Sequence, residues 1–297
     1  MRMSDGPTGS TVPRRQLGRY LRDLRNQAGL TVRAAARELE RAEATIWRIE
    51  TGQTSLRSVD VEVMCKVYGA SGGVTKALKA LAKETKAKGW WHAYGDVIAE
   101  GFDLFIGLEE ATERLDWYES DLVPGLLQTP DYARAIISAH LPDEGPDEVE
   151  RRVQLRMARQ VLLSRFFKPV QLSAVVSESV LRRPVGGHTM MVEQLKHLAD
   201  VSGLPNVAIR VVPFNAGLHM GALSGMFGIL RFPCNGEGRE VEPSTVYAEG
   251  FTGALYLDKP AELERYDRAF KDIWHTALDE NESKHLIMEM AGKYAEG

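Results

Sequence analysis

A chain of 297 residues with 44% apolar content is longer than the usual single domain, so two globular domains, each with its own core, are expected. No run of about 18 uncharged apolar residues occurs, and MRMSDGPTGSTVPRR at the N-terminus lacks the apolar core of a secretory signal; this excludes a membrane role and points to a cytoplasmic protein. Cys65 and Cys234 stand alone, far apart and outside any CxxC, which excludes a disulfide framework or zinc site and leaves no metal or cofactor expected. The net charge of −4 divides unevenly: residues 1–70 hold 12 Lys+Arg and 8 Asp+Glu, net +4, and the remainder 25 and 33, net −8. A modestly basic head on an acidic body suits a small nucleic-acid module joined to a larger domain with another partner.

Residues 1–13, rich in Gly, Pro, Ser and Thr, read as a disordered tail. Leu17, Tyr20, Leu21 and Leu24 then recur at helical spacing until Gly29 stops the helix, and Thr31 caps a short second helix containing Ala35, Ala36 and Leu39. A third helix is predicted at about 43–51, with Ile46 and Ile49 inward and Gly52 at its end. A fourth is predicted from about Val59 to Tyr68, with Val63, Met64 and Val67 inward. These make a bundle over 14–73, followed by an Ala/Lys-rich connecting helix over 74–89. WWHAY at 90–94 opens the second region, 90–297. Helical character is read through LEEATERLDWYE (108–119), PDYARAIISAH (130–140) and DEVERRVQLRMARQVLLSRFF (147–167). The last of these sets Val149, Val153, Met157 and Val161 on one stripe and Arg152, Arg156 and Arg159 on another.

After Pro169 the grammar changes. VQLSAVVS (170–177), VAIRVVPF (207–214), MFGILRF (226–232), STVYAE (244–249) and GALYLD (253–258) read as strands of a mixed sheet. A helix is predicted at 190–203, and a long one opens at Pro260 with Leu263, Tyr266, Phe270, Ile273 and Trp274 on one face. A short closing helix follows. The fold class is therefore α+β: an N-terminal all-α bundle and a larger mixed α/β C-terminal domain.

Within the head, residues 31–52 carry the spacing of a two-helix DNA reader: a small residue, Ala36, where the helices cross, and apolar anchors Ile46 and Ile49 three apart. From Gly29 to Gly52 the chain resembles the XRE (lambda-repressor-like) helix-turn-helix family, with its GLTxxxxAxxLxxxxxTIxRIExG pattern. The resemblance implies a sequence-specific DNA-binding transcriptional regulator. It puts base-facing positions on Glu43, Ala44, Trp47 and Arg48 and the phosphate-contacting start of helix two on Val32. Departures are present: Glu40 replaces the usual glycine of the turn, Val32 the usual glutamine, and Gln53, Thr54 and Ser55 a run that is often basic. Lost phosphate contacts weaken counterion release. Glu43 can still accept from cytosine N4, and Arg48 can pair bidentately with guanine for about 1–3 kcal/mol. The expected DNA-binding set is Arg15, Arg33, Arg41, Glu43, Ala44, Thr45, Trp47, Arg48, Thr54 and Arg57, with a homodimer doubling the contacts to double-stranded DNA. Arg25 and Glu50 read as an internal ion pair. The alternative is a bundle that keeps the fold without the DNA, or a protein-binding module.

In the body, WWxxY (90–94), VPGLLQTPDYARA (123–135), RMARQ (156–160), LRRPVGG (181–187), QLKHL (194–198), VVPFNAGLHMG (211–221) and VYAEG (246–250) resemble, in order, the DUF5753 domain of Streptomyces and other actinobacterial regulators. The whole arrangement is similar to WhiJ-type regulators, which implies a transcription factor whose body binds a small DUF397-like protein. No GxSxG, HExxH, P-loop or GxGxxG is present, so the chain is not expected to be an enzyme; an enzymatic reading would rest on Glu178, His219 and Glu249. AGLHMG (216–221) reads as a tight turn or an anion cradle. The arginines of RMARQ read as packed and ion-paired, or as an anion or partner site with Arg152. A small basic partner suits the charge of −8 and a phosphorylated small-molecule effector suits Arg152, Arg156 and Arg159. Both readings stay open, with Glu178, His219 and Glu249 as further candidate contacts.

Overall fold

A computed structural model describes residues 11–85, 90–98, 102–234, 240, 242–250 and 253–296. The chain forms two compact units, Met1–Ala111 and Thr112–Gly297, so WWHAY and the segment after it group with the first. Residues 1–10 of the expected tail and 86–89 of the expected connecting helix lie outside the described residues.

The first unit contains α1 (Thr11–Gln27), α2 (Val32–Glu38), α3 (Glu43–Glu50), α4 (Ser58–Val67), α5 (Gly72–Glu84), a 3-10 turn at Trp90–Tyr94 and α6 (Phe102–Ala111). Residues 11–13, expected in the tail, open α1 instead: Pro13 is tolerated in a first turn, where its missing N–H has no intrahelical acceptor. Gly29 ends the descent from α1 at φ +70, and Thr31 caps α2 by accepting the Ala34 amide at 3.1 Å. Leu17, Leu21, Ala35, Ile49, Met64, Cys65 and Leu78 share one core. In α4 the inward valine is Val61; Val63, predicted inward, is exposed two positions further round the helix. The α1–α3 contact requires Gly18, because a Cβ there would stand 2.5 Å from the carbonyl oxygen of Ile49.

The second unit holds a six-stranded sheet in the order β3-β2-β1-β4-β5-β6, built from β1 (Arg114–Glu119), β2 (Gln171–Ser177), β3 (Val207–Val212), β4 (Phe227–Arg231), β5 (Thr245–Gly250) and β6 (Gly253–Leu257). The first three are parallel, and β4, β5 and β6 run antiparallel to their neighbours. Its helices are α7 (Pro130–His140), α8 (Pro146–Arg159), α9 (Val161–Ser164), α10 (Glu178–Arg182), α11 (His188–Val201), α12 (Met220–Ser224), α13 (Pro260–Thr276) and α14 (Glu280–Glu296). All five strands predicted after Pro169 are present.

The sixth, β1, corrects the helical reading of 108–119. It is an interior strand in which Leu115, Asp116, Trp117 and Tyr118 are all buried, so the apolar–polar alternation of a half-exposed strand is missing. Its buried Asp116 is compensated by Arg231 at 3.1 Å and Arg114 at 2.9 Å. The predicted helix over 147–167 also breaks, at Gln160 between α8 and α9, which turns Val161 outward and leaves Phe166 and Phe167 exposed. The α13 face carries Ala269, Phe270 and Ile273 onto Tyr118, Phe227, Ile229 and Val246. The closing helix α14, longer than predicted, packs on α11 and serves the β3 edge: the Ser283 hydroxyl accepts the Val211 amide at 2.9 Å.

Candidate nucleic-acid interface

α2 and α3 form the helix pair, and the turn between them passes through Glu40 at φ +50, a conformation that favours glycine. Ile46 and Ile49 anchor α3 inward, which turns Glu43, Ala44, Trp47 and Arg48 outward and leaves Thr45 half-buried. Trp47 is 55% exposed, an unusual setting for an indole in a monomer. Beside it Arg48 makes no side-chain hydrogen bond or ion pair among the described residues. Its guanidinium is available to the edge of a guanine.

Charges around this face are organised in pairs. Arg33, in the first turn of α2, meets Glu43, in the first turn of α3, at 3.0 Å. Both are exposed, so the pair is worth about 0–1 kcal/mol and can open to a phosphate. Asp60 holds Arg41 at 2.9 Å and Arg57 at 2.9 Å and also accepts the Arg57 amide. The Arg57 hydrogen bonds, opposed by partial burial and aided by the charges of Arg57 and Arg41, hold the Asp60 carboxyl below its ordinary value. Sequence reasoning missed Asp60 because nothing in its spacing marks it as the joint of two arginines. Thr54 is exposed between α3 and Arg57. Arg15 is a correction: at 5% exposure it packs where Gly52 passes α1, and a phosphate cannot reach it.

The face is fixed from behind by Arg25. Its Nε and Nη2 donate to the two carboxylate oxygens of Glu50 at 2.6 and 2.9 Å, and Nη1 donates to the Leu30 carbonyl at 2.7 Å. One side chain thereby joins the end of α1, the loop before α2 and the end of α3, and the Glu50 hydrogen bond raises the Arg25 pKa.

In the second unit the predicted site residues do not converge. Arg152 is bound to Glu144, Arg156 donates to the Gln128 amide oxygen at 2.8 Å, and Arg159 is buried. Arg152 and Arg156 thus make the internal contacts of the packed, ion-paired reading of the stripe, and Arg159 lies in a separate, buried setting. Glu178 accepts from Arg182 at 2.7 Å and from the Phe214 amide at 2.8 Å. His219 caps α12 by accepting the Gly221 amide at 3.1 Å and sits edge-on to Tyr118. In AGLHMG the Ala216 amide donates to the Pro213 carbonyl at 3.0 Å and the Met220 amide to Asp272 at 2.9 Å, so these donors are used internally. Glu249 accepts from the Tyr247 hydroxyl at 2.9 Å. No hydrogen bond or ion pair joins Glu178, His219 and Glu249 to one another among the described residues.

Two other arrangements appear. Strand register aligns Trp117, Gly228, Tyr247 and Tyr256 across four strands. Gly228 makes room, since a Cβ there would stand 2.4 Å from the Trp117 ring, and Trp117 stacks on Tyr247 at 6.0 Å. At the end of this row Glu119 accepts from the Trp117 indole at 3.3 Å. Burial, opposed by that bond and reinforced by the charges of Glu249 and Asp121, pushes the Glu119 carboxyl up to about 8. The second arrangement is an open groove of about 810 Å³ between α10, the 213–216 turn and α14. Missing β1 hid the first from the sequence, and the length of α14 hid the second.

A family model for a helix-turn-helix domain matches residues 16–78, spanning α1 to α5, and one for DUF5753, a domain of unknown function, matches residues 102–289. No curated protein and no solved structure shows significant similarity to the chain. No helix among the described residues is long and apolar enough to cross a membrane. With the DUF5753 match covering more than half of its length, and a DNA-binding type of helix-turn-helix ahead of it, the chain belongs to the DUF5753 family.

Proposed function

We propose that the protein is a sequence-specific, homodimeric transcriptional regulator of the WhiJ-like kind, whose second unit senses a small protein partner and changes operator affinity. The observation that carries the DNA reading is the outward face of α3, where Arg48 and Trp47 stand free of internal partners beside the openable Arg33–Glu43 pair. A head of net charge +4 makes few phosphate contacts, so a dimer reading two half-sites supplies the affinity. Partner sensing is supported by the groove and by the net charge of −8 outside the head, which suit a small basic protein such as a DUF397-like one. A small-molecule effector is the second reading: with Arg152 and Arg156 taken up by Glu144 and Gln128, an organic cation at the exposed Glu249, near the half-buried Tyr256, suits it better than a phosphorylated ligand.

Regulation requires a ligand that binds the DNA-free and DNA-bound states unequally. The test is operator titration by fluorescence anisotropy with and without the neighbouring small protein. Affinity for the operator that falls steeply with salt and shifts when the partner is added supports the reading. Salt-insensitive binding would refute the DNA part, and an operator affinity unchanged by a bound partner would refute the sensing part.

A further inference from the structure

α14 carries two faces. Ser283, Ile287, Met290 and Ala291 are buried, and Glu282, His285, Leu286 and Glu289, spaced at three, one and three residues, line the open groove. The opposite wall is α10 with Glu178 and Arg182. The chain that leaves the carboxyl end of β3 brings in Phe214, which is 60% exposed. Ligands of parallel sheets gather at this end of the strands.

Phe214, Leu278 and Leu286 make the groove apolar, and its rim carries three carboxylates, Glu178, Glu282 and Glu289, against the single guanidinium of Arg182. Arg182 satisfies Glu178, and Lys293 reaches Glu289 from one turn further along α14. Glu282 accepts the Asp279 amide and has no ion pair among the described residues. The Arg182 guanidinium lies over the Phe214 ring at 5.7 Å from its centre, so this ring already accepts a cation on one side. With Glu178 and Glu289 paired, the groove keeps a net excess of one carboxylate, Glu282, over an apolar floor open to solvent, in keeping with the acidic balance of the chain beyond the head.

We infer that this groove docks a basic peptide segment of a partner protein, with an apolar side chain on the Phe214–Leu286 floor and lysine or arginine against Glu282 and Glu289. The inference rests on the partner-sensing reading and gives it a place. A small anion is disfavoured by the three carboxylates, and an enclosed ligand by the open shape.

The test uses the full-length chain and a short fluorescent amphipathic peptide of leucine and arginine, with its leucine–glutamate counterpart as control. The arginine peptide binds the wild type, binds the double variant Glu282→Lys, Glu289→Lys at least about tenfold more weakly, and loses a similar factor with Phe214→Ala. All three positions are exposed, so folding is retained, and unchanged thermal unfolding checks that. Equal binding to wild type and double variant, preference for the glutamate peptide, or displacement by spermidine as effective as by unlabelled peptide would each overturn the inference. Failure here with operator binding intact leaves the DNA reading standing. Peptide docking in the groove that leaves operator affinity unchanged supports the docking site and refutes only the regulatory reading.

Discussion

Replacing Arg25 by methionine tests whether one buried guanidinium holds α3 of the helix-turn-helix in place. The Arg25 and Glu50 side chains are 9% and 4% exposed, and their two hydrogen bonds of 2.6 and 2.9 Å satisfy both carboxylate oxygens. The limit that applies is therefore that of a buried pair, in which removal of one partner strands the other and costs about 3–5 kcal/mol, not the 0–1 kcal/mol of a surface pair. Loss of the Arg25 donor also leaves the Leu30 carbonyl without this contact. Against a total stability of about 5–15 kcal/mol, that is about a fifth or more. Native-state hydrogen exchange on the full chain reads it locally: amides of α1 and α3 should lose protection by between about two and four powers of ten. The double variant Arg25→Met, Glu50→Leu removes the stranded charge and should recover most of the loss. A cost below about 1 kcal/mol for Arg25→Met, or a double variant no better than the single, would refute the reasoning.

Gly18→Ala should destabilise the head by about 1–3 kcal/mol or more, because the methyl would meet the Ile49 carbonyl; urea unfolding followed by exchange in α3 measures it. Glu40→Gly should stabilise by about 0.5–1 kcal/mol by relieving the left-handed backbone, and an unchanged or lowered unfolding midpoint would count against that account. For Glu119 the folded-state value near 8 lies above the ordinary 4.5, so the folded protein keeps a proton that the unfolded chain has released, and stability falls as pH rises between those values. Glu119→Gln should abolish this slope. Glu119 keeps some contact with solvent, so the gain at about pH 9 should be on the order of 1–2 kcal/mol, read from urea midpoints at high and low pH.

The head was legible in the sequence because each of its signals is local: Thr31 is followed by the amide it caps, Gly29 and Gly52 take positive φ, and Ile46 and Ile49 repeat at one helical turn. The strands after Pro169 were legible for the same reason, as short β-branched runs between turn residues. What escaped depends on the third dimension. The β1 strand lies inside the sheet with both faces covered, so RLDWYE offers no period of two. Arg15 has the same local sequence character as an exposed arginine, and only the path of Gly52 across α1 buries it. The Arg152, Arg156 and Arg159 stripe has correct helical spacing, but Glu144 and Gln128, which take up the first two, come from other segments. Glu119 and Glu249 are 130 residues apart, and only the register of β1, β4 and β5 brings them near each other.

The central claim is that the outward face of α3 reads base sequence, and selection of bound duplexes from a randomised pool, by the wild type and by Arg48→Ala, tests it most directly. The account predicts a shared half-site repeated as a palindrome for the wild type. In the variant one guanine position should relax, at a cost of about 1–3 kcal/mol on the selected site, with the rest of the motif retained. A wild-type pool with no shared motif would contradict it.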